Sequence, residues 1–241
     1  MAGDEYKSNA IMSREYGEGL RRLVLCMPGE SYHERVLVCL LDTLNYFRKR
    51  GWRITLRNLY SANVWACRND LFGRVSKTHV QQGKPPQLFE GNIPDYSYML
   101  WIDSDMTWKP MDVEHLMSWD RDIICGHAKM RDGKRIATVE NWDLEYFKEN
   151  GGFEYLTDEV IKDRKEPFPV AFTGMAFMLI KRGVLETFDF PWIEPYFYKV
   201  GNLRLMSGED VSFCKKAQRL GFDVLIDPGV RVGHLKEVEL R

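Results

Sequence analysis

The chain has 241 residues, 44% apolar and 29% charged, the balance of a globular protein able to bury a core, and its length suits one domain spanning 1–241. Its 34 basic and 35 acidic side chains leave a formal charge of −1, so the bulk basic character of a protein that coats nucleic acid or anionic membrane is excluded. No apolar run approaches the roughly 20 residues of a membrane helix. The start of the chain is polar and acid-bearing, unlike a signal or transit peptide, and 1–19 reads as a loose tail. Five scattered cysteines without a Cys-x-x-Cys pair point to a reduced, cytoplasmic protein with buried thiols.

In chain order, Leu23 to Met27 is a short apolar run stopped by Pro28-Gly29 and reads as a buried strand. Apolar residues Leu37, Leu40, Leu41, Leu44 and Phe47 then recur at helical spacing, predicting an amphipathic helix from Glu34 to Arg50. Trp52 to Tyr60 alternates as a second strand, so the chain opens strand–helix–strand, and a parallel pair follows from the right-handed crossover rule. Ser61 to Lys77 reads as helix, Tyr98 to Ile102 as a buried strand, and Pro110 marks the first turn of the next helix. Further strands are expected at Asp122–Gly126, Val170–Ile180 and Asp223–Ile226, with a helix over Ser207–Leu220. Residues 131–168 are charged, spotted with aromatics and irregular. The alternation defines an α/β/α sandwich around a mostly parallel, mixed sheet.

In such sheets ligands bind beyond the carboxyl ends of the strands. Asp103 and Asp105 close the apolar strand there, and strand alternation would put both on one side, where two carboxylates repel unless a proton or a cation intervenes. A hard divalent ion shared with a diphosphate resolves that repulsion; a helix cap beside a solvated turn residue is the plainer alternative. Ser207-Gly208-Glu209-Asp210 opens the last helix. It reads either as a capping box with acids on the helix dipole or as the seat of a general base. His234 follows Val230-x-Val232 on the same alternation and is the one histidine placed as a possible ligand.

Together, Asp103-Ser104-Asp105, Thr173-Gly174-Met175-Ala176, Gly208-Glu209-Asp210, Asp227-Pro228 and Gly233-His234, in this order, resemble nucleotide-sugar-dependent glycosyltransferases of the GT-A fold, from about Leu23 to His234. The resemblance implies transfer of a sugar from a nucleoside-diphosphate sugar to the hydroxyl of a carbohydrate or other acceptor, with inversion and with Mn²⁺ or Mg²⁺ as cofactor. Asp105 and His234 would hold the metal, with Asp103 assisting there or reaching the ribose. Asp210 would be the general base, with Glu209 beside it. Met27, Pro28 and Gly29 would hold the nucleotide, Arg68 and Asn69 match an Ala-Arg-Asn element near it, and Lys129 would contact phosphate. No nucleic-acid binding and no membrane span are expected. The crowded aromatics Phe188, Phe190, Trp192, Tyr196, Phe197 and Tyr198 suit an acceptor sugar's apolar face, or a loop pinned to the core.

Two rival readings remain open. Asp103-Ser104-Asp105-Met106-Thr107 also matches the Asp-x-Asp-x-Thr signature of haloacid-dehalogenase-type phosphatases, in which Asp103 would be the nucleophile. Those phosphatases place the motif on their first strand, whereas here it follows a long strand–helix–strand stretch. The other reading is a non-catalytic nucleotide-sugar-binding protein.

Overall fold

A computed structural model describes residues 21–236; the N-terminal segment 1–19 lies outside the described residues. The chain runs through β1 (Arg22–Pro28), α1 (Glu34–Lys49), β2 (Arg53–Leu59), α2 (Val64–Phe72), α3 (Lys77–Gln82), β3 (Tyr98–Ile102), β4 (Met106–Thr107), α4 (Pro110–Ser118) and β5 (Ile123–His127). It continues through β6 (Thr138–Val139), α5 (Leu144–Asn150), α6 (Asp158–Ile161), β7 (Phe168–Pro169), β8 (Phe172–Thr173) and β9 (Phe177–Lys181). A hairpin of β10 (Phe197–Val200) and β11 (Leu203–Met206) precedes α7 (Glu209–Arg219), β12 (Val224–Arg231) and β13 (Gly233–His234).

Seven strands form one sheet in the order β2-β1-β3-β9-β5-β12-β7. The pairs β1–β2, β1–β3 and β5–β12 are parallel, while β9 is antiparallel to both β3 and β5, and β7 to β12. Five strands therefore share one direction and two oppose it, the mixed sheet expected of the sequence. Strand alternation sends successive side chains to opposite layers. Val24, Cys26, Met99, Trp101, Cys125 and Met178 pack with Cys67, Leu71 and Phe72 of α2 and Phe213, Cys214 and Ala217 of α7. Leu23, Leu25, Leu100, Ile102 and Ile124 pack on the other face with Val36 and Phe47 of α1 and Val113 and Leu116 of α4.

Several local expectations are corrected. The buried stripe of α1 is Val36, Thr43 and Phe47, with Leu40 and Leu44 partly covered, whereas Leu37 and Leu41 are 44% and 57% exposed. Thr43 belongs inside because its hydroxyl donates to the Cys39 carbonyl at 2.8 Å and accepts the Trp108 indole N–H at 2.8 Å. The apolar run Val170–Ile180 is two strands, not one. β8 pairs with β6, the chain turns at Met175-Ala176, and β9 enters the main sheet. The expected helix over Ser61–Lys77 is α2 alone, capped by the Asn63 side chain on the Ala66 N–H, and ends at Phe72. Within 131–168, read as irregular, lie β6, α5, α6 and β7. The cysteines are unpaired, and four of the five are buried. No described helix is long and apolar enough to cross a membrane.

Candidate active site

The Asp-x-Asp segment does not lie on the strand. β3 ends at Ile102, and Asp103, Ser104 and Asp105 form the turn that leads into β4, so the two acids point to different neighbours. The Asp103 N–H donates to the Ala176 carbonyl at 3.0 Å, which ties this turn to the chain entering β9. On the other side the end of β1 presses against it. A Cβ on Gly29 would stand 2.7 Å from the Ser104 Cβ, so only glycine permits this approach.

Asp105 faces the C-terminal end of the described chain. Strand β13 pairs with β4, and Gly233 lies so close to Thr107 that a Cβ there would collide with the threonine hydroxyl. This places His234 Nε2 3.0 Å from Asp105 Oδ2, with the Lys236 ammonium 2.7 Å from the same oxygen. The His234 Nδ1 donates to the Lys129 carbonyl at 2.7 Å, since a carbonyl only accepts. That bond fixes the ring and leaves Nε2 as the nitrogen turned to the carboxylate. Burial alone would raise the Asp105 pKa, but the hydrogen bonds from His234 and Lys236 outweigh it and hold it at about 2.

Asp103 belongs to a second, drier cluster. Its Oδ1 accepts the Trp101 indole N–H at 2.9 Å and lies 3.5 Å from Arg68 Nη2, which also sits 3.2 Å from Glu209 Oε1. Arg68 is 5% exposed, lies over the Trp101 ring, and keeps Nε and Nη1 without a partner among the described residues. Burial raises the Asp103 pKa against the pull of Arg68 and the Trp101 hydrogen bond. Asp210 opens α7 next to Glu209. Burial first, then the Glu209 charge, push its pKa up to about 6. Its Oδ2 lies 3.8 Å from the place a Cβ on Gly174 would take, so it faces the turn between β8 and β9.

The capping box, one of the two readings of this segment, is absent. Gly208 is the N-cap of α7 without a side-chain cap, and the Ser207 hydroxyl instead meets the Tyr196 carbonyl and Ser212 Oγ. Of the other residues singled out from sequence, Met27 is buried, and its carbonyl accepts from the Tyr32 hydroxyl at 2.8 Å and the Asn58 amide at 2.9 Å. Pro28 ends β1, and the Gly29 N–H donates to the Leu59 carbonyl. The Asn69 side chain is engaged on both sides by the Ile193 backbone, accepting at 3.0 Å and donating at 2.8 Å, so it pins the 190s loop. The Lys129 ammonium is held by the Lys134 carbonyl and Asp158, and Lys129 reaches the site through its own carbonyl on His234.

Several neighbours were not singled out from the sequence: Lys236, Asn58 and Tyr32 above, and Tyr155. Burial raises the Tyr155 pKa, and the nearby charge of Asp210 adds to it. Tyr155 belongs to an aromatic cluster in which Trp142 meets Phe172 and Tyr198 edge-on, Phe147 meets Phe153, and Phe153 and Tyr155 meet Phe172 in the same way, with Tyr196 stacked on Tyr198. Their aromatic spacing inside a charged segment was the available signal.

The mixed α/β sheet and its flanking helices define a GT-A-like fold. Among solved structures sharing it is GalNAc-T7 with UDP, GalNAc and Mn²⁺, at a TM-score of 0.52 and 15% identity. That likeness covers 93% of this chain and 45% of the other, so the chain spans less than half the length of that relative. A197 from STIV is similar at a TM-score of 0.48 and 15% identity, over 91% of this chain and 97% of that one. A glycosyltransferase involved in glycosylation of the major capsid of PBCV-1 is similar at 0.33 and 10%, over 68% and 61%. No family model matches the chain, and no curated protein matches it in sequence.

Proposed function

We propose that this chain is a glycosyltransferase that uses a divalent cation to move a sugar from a nucleoside-diphosphate sugar to an acceptor hydroxyl, with inversion. The observation that carries this reading is the contrast between Asp105, held ionised where it faces His234, and a half-buried Asp210 whose pKa is pushed up to about 6. Such a split suits one acid for a cation and the other for a proton.

Among the described residues no group of three or more His, Cys, Asp or Glu side chains is arranged to hold a metal. Asp105 and His234 nevertheless fit an ion such as Mn²⁺ or Mg²⁺ that draws its other ligands from diphosphate and water. The His234 ring is already oriented by a carbonyl on its far nitrogen, the arrangement that metal-binding histidines use. Such an ion would offset the charge that grows on the departing diphosphate. Asp103, turned away from Asp105, suits the donor's ribose better than the metal, and Arg68 beside it has two unmet donors. Met27, Pro28 and Gly29, with the Met27 carbonyl and the Gly29 N–H already engaged, would frame the nucleotide at the strand end rather than bond it. Asp210 takes the proton of the acceptor hydroxyl, and burial, with the Glu209 charge added, raises its pKa enough to do so near neutrality. The aromatic cluster around Trp142 and Tyr198 offers ring faces to an acceptor sugar.

The phosphatase reading draws less support, because Trp101 and Arg68 already engage Oδ1 of Asp103, one of the two oxygens that could attack phosphorus. Thermal unfolding with nucleoside diphosphates and nucleotide sugars, each with Mn²⁺ and with chelator, separates the readings. A ligand at a hundred times its Kd adds ~2.7 kcal/mol, which for a chain of this size is roughly 5–10 °C. A Mn²⁺-dependent rise with one nucleotide class is expected; no rise with any of them sinks the proposal.

A further inference from the structure

The carboxylate assigned to the cation above already has a charged group of the chain on it. Asp105 Oδ2 meets the Lys236 ammonium at 2.7 Å and His234 Nε2 at 3.0 Å, so both converge on one oxygen. The backbone delivers Lys236 to this place. β13 pairs with β4, which sets His234 opposite Met106, and the Leu235 N–H then donates to the Asp105 carbonyl at 2.8 Å. Lys236 is the next residue, so main-chain bonds bring its ammonium within reach of the carboxylate. Its side chain is 39% exposed, and the ammonium can therefore swing away without opening the core.

Beside this pair lies a hollow of about 480 Å³, walled by Met130, Arg131, Ala137, His234 and Lys236. No acid stands on that wall, and Arg131, which is exposed, makes no ion pair among the described residues. Ala137 borders the candidate base as well. Its Cβ and Asp210 Oδ2 lie 3.6 and 3.8 Å from the place a Cβ on Gly174 would take. An ammonium and a divalent ion repel each other strongly when both sit at bonding distance from one carboxylate oxygen. An ion that reaches Asp105 therefore has to expel Lys236. Turned into the hollow, the freed ammonium finds no carboxylate to replace Asp105, so its ion pair is lost unless an anion enters too.

We propose, on the transferase reading above, that Lys236 is an internal counter-ion of Asp105 that holds off a free divalent ion and yields when the ion arrives with a diphosphate. With Lys236 in place the charge of Asp105 is balanced, and a free ion gains little by approaching. A cation already bound to diphosphate brings the anion that the displaced ammonium needs, so one ion pair is exchanged for another. Lys236 is thus a positioning residue: it makes cation and donor enter together.

Isothermal titration of the whole chain with Mn²⁺ alone, and with Mn²⁺ premixed with inorganic pyrophosphate, tests this. Lys236→Met, at an exposed position, should tighten binding of Mn²⁺ alone at least about tenfold, the effect of one charge-assisted hydrogen bond. Lys236→Arg keeps the charge and should bind Mn²⁺ as wild type does. The premixed complex should show no such gain in Lys236→Met, so the preference for complex over free ion shrinks by a like factor. Adding Asp105→Ala to Lys236→Met should abolish the gain. Equal Mn²⁺ affinity in wild type and Lys236→Met, with binding lost in Asp105→Ala, overturns the counter-ion while the metal pair stands. An equal gain for free ion and complex overturns their joint entry. Mn²⁺ binding that is absent from both chains, or indifferent to Asp105→Ala, removes the metal pair itself and the proposal with it.

Discussion

Asp105 and Asp210 are the same side chain placed in opposite surroundings. Asp105 sits at an open edge with an imidazole and an ammonium on one oxygen, and its pKa falls to about 2. Asp210 lies in the drier cluster, where Glu209 and Asp103 share the one guanidinium of Arg68, and its pKa climbs to about 6. The difference comes from partners and water, not from sequence distance, and it separates a group suited to holding cations from one suited to moving a proton.

The largest effect expected from breaking this contrast is on turnover. Asp210→Asn keeps shape but cannot take a proton, so transfer in a nucleotide-sugar assay should fall by about 10²–10⁴-fold, while Mn²⁺-dependent nucleotide binding persists. In wild type the acidic limb of the rate profile should bend near pH 6. Replacing Arg68 with methionine should come next. It removes the buried guanidinium between the half-buried Asp103 and Glu209, and chemical unfolding should show a loss of about 1–3 kcal/mol.

The same Asp210→Asn exchange sharpens the comparison through stability. Folded Asp210 keeps its proton to higher pH than the unfolded chain does, so the native state binds more protons between the ordinary value of 3.8 and about 6. Its contribution to stability therefore falls as pH rises through that window and stays low above it. The asparagine variant escapes the loss, and at pH 7 it should unfold up to about 3 kcal/mol harder than wild type; equal stability would contradict the raised pKa. At the open edge, Asp105→Ala and His234→Ala should each weaken Mn²⁺-dependent nucleotide binding by about 10–100-fold.

Much of this layout was legible before any coordinates. Tyr98 to Ile102 is apolar throughout because β3 is buried on both faces, and the acids that follow mark its end as the candidate site. His234 could be placed near Asp105 by resemblance and alternation, but its hold on the Lys129 carbonyl depends on β13 folding back onto β4. The break in Val170–Ile180 was hidden because both pieces are apolar, and only their different partners, β6 for one and β3 and β5 for the other, set them apart. Ser207 looked like a cap because spacing alone cannot show that its hydroxyl is already claimed by Tyr196 and Ser212. The amide of Asn69 was equally unreadable, since its partner Ile193 is more than a hundred residues away.

The direction of β9 has a consequence for how the molecule comes to exist. Val24 of β1 pairs with Met99 of β3, and Met99 with Ile180 of β9, so the strand carrying the Asp-x-Asp turn has no neighbour close in sequence. Closing those loops is entropically slow, and nascent chain that stops short of β9 leaves both β3 and β5 with an open side. During synthesis the acids at the centre therefore stay apart until most of the polypeptide has emerged. On the proposed reading, a shortened chain ending before Phe177 should show no part of the activity.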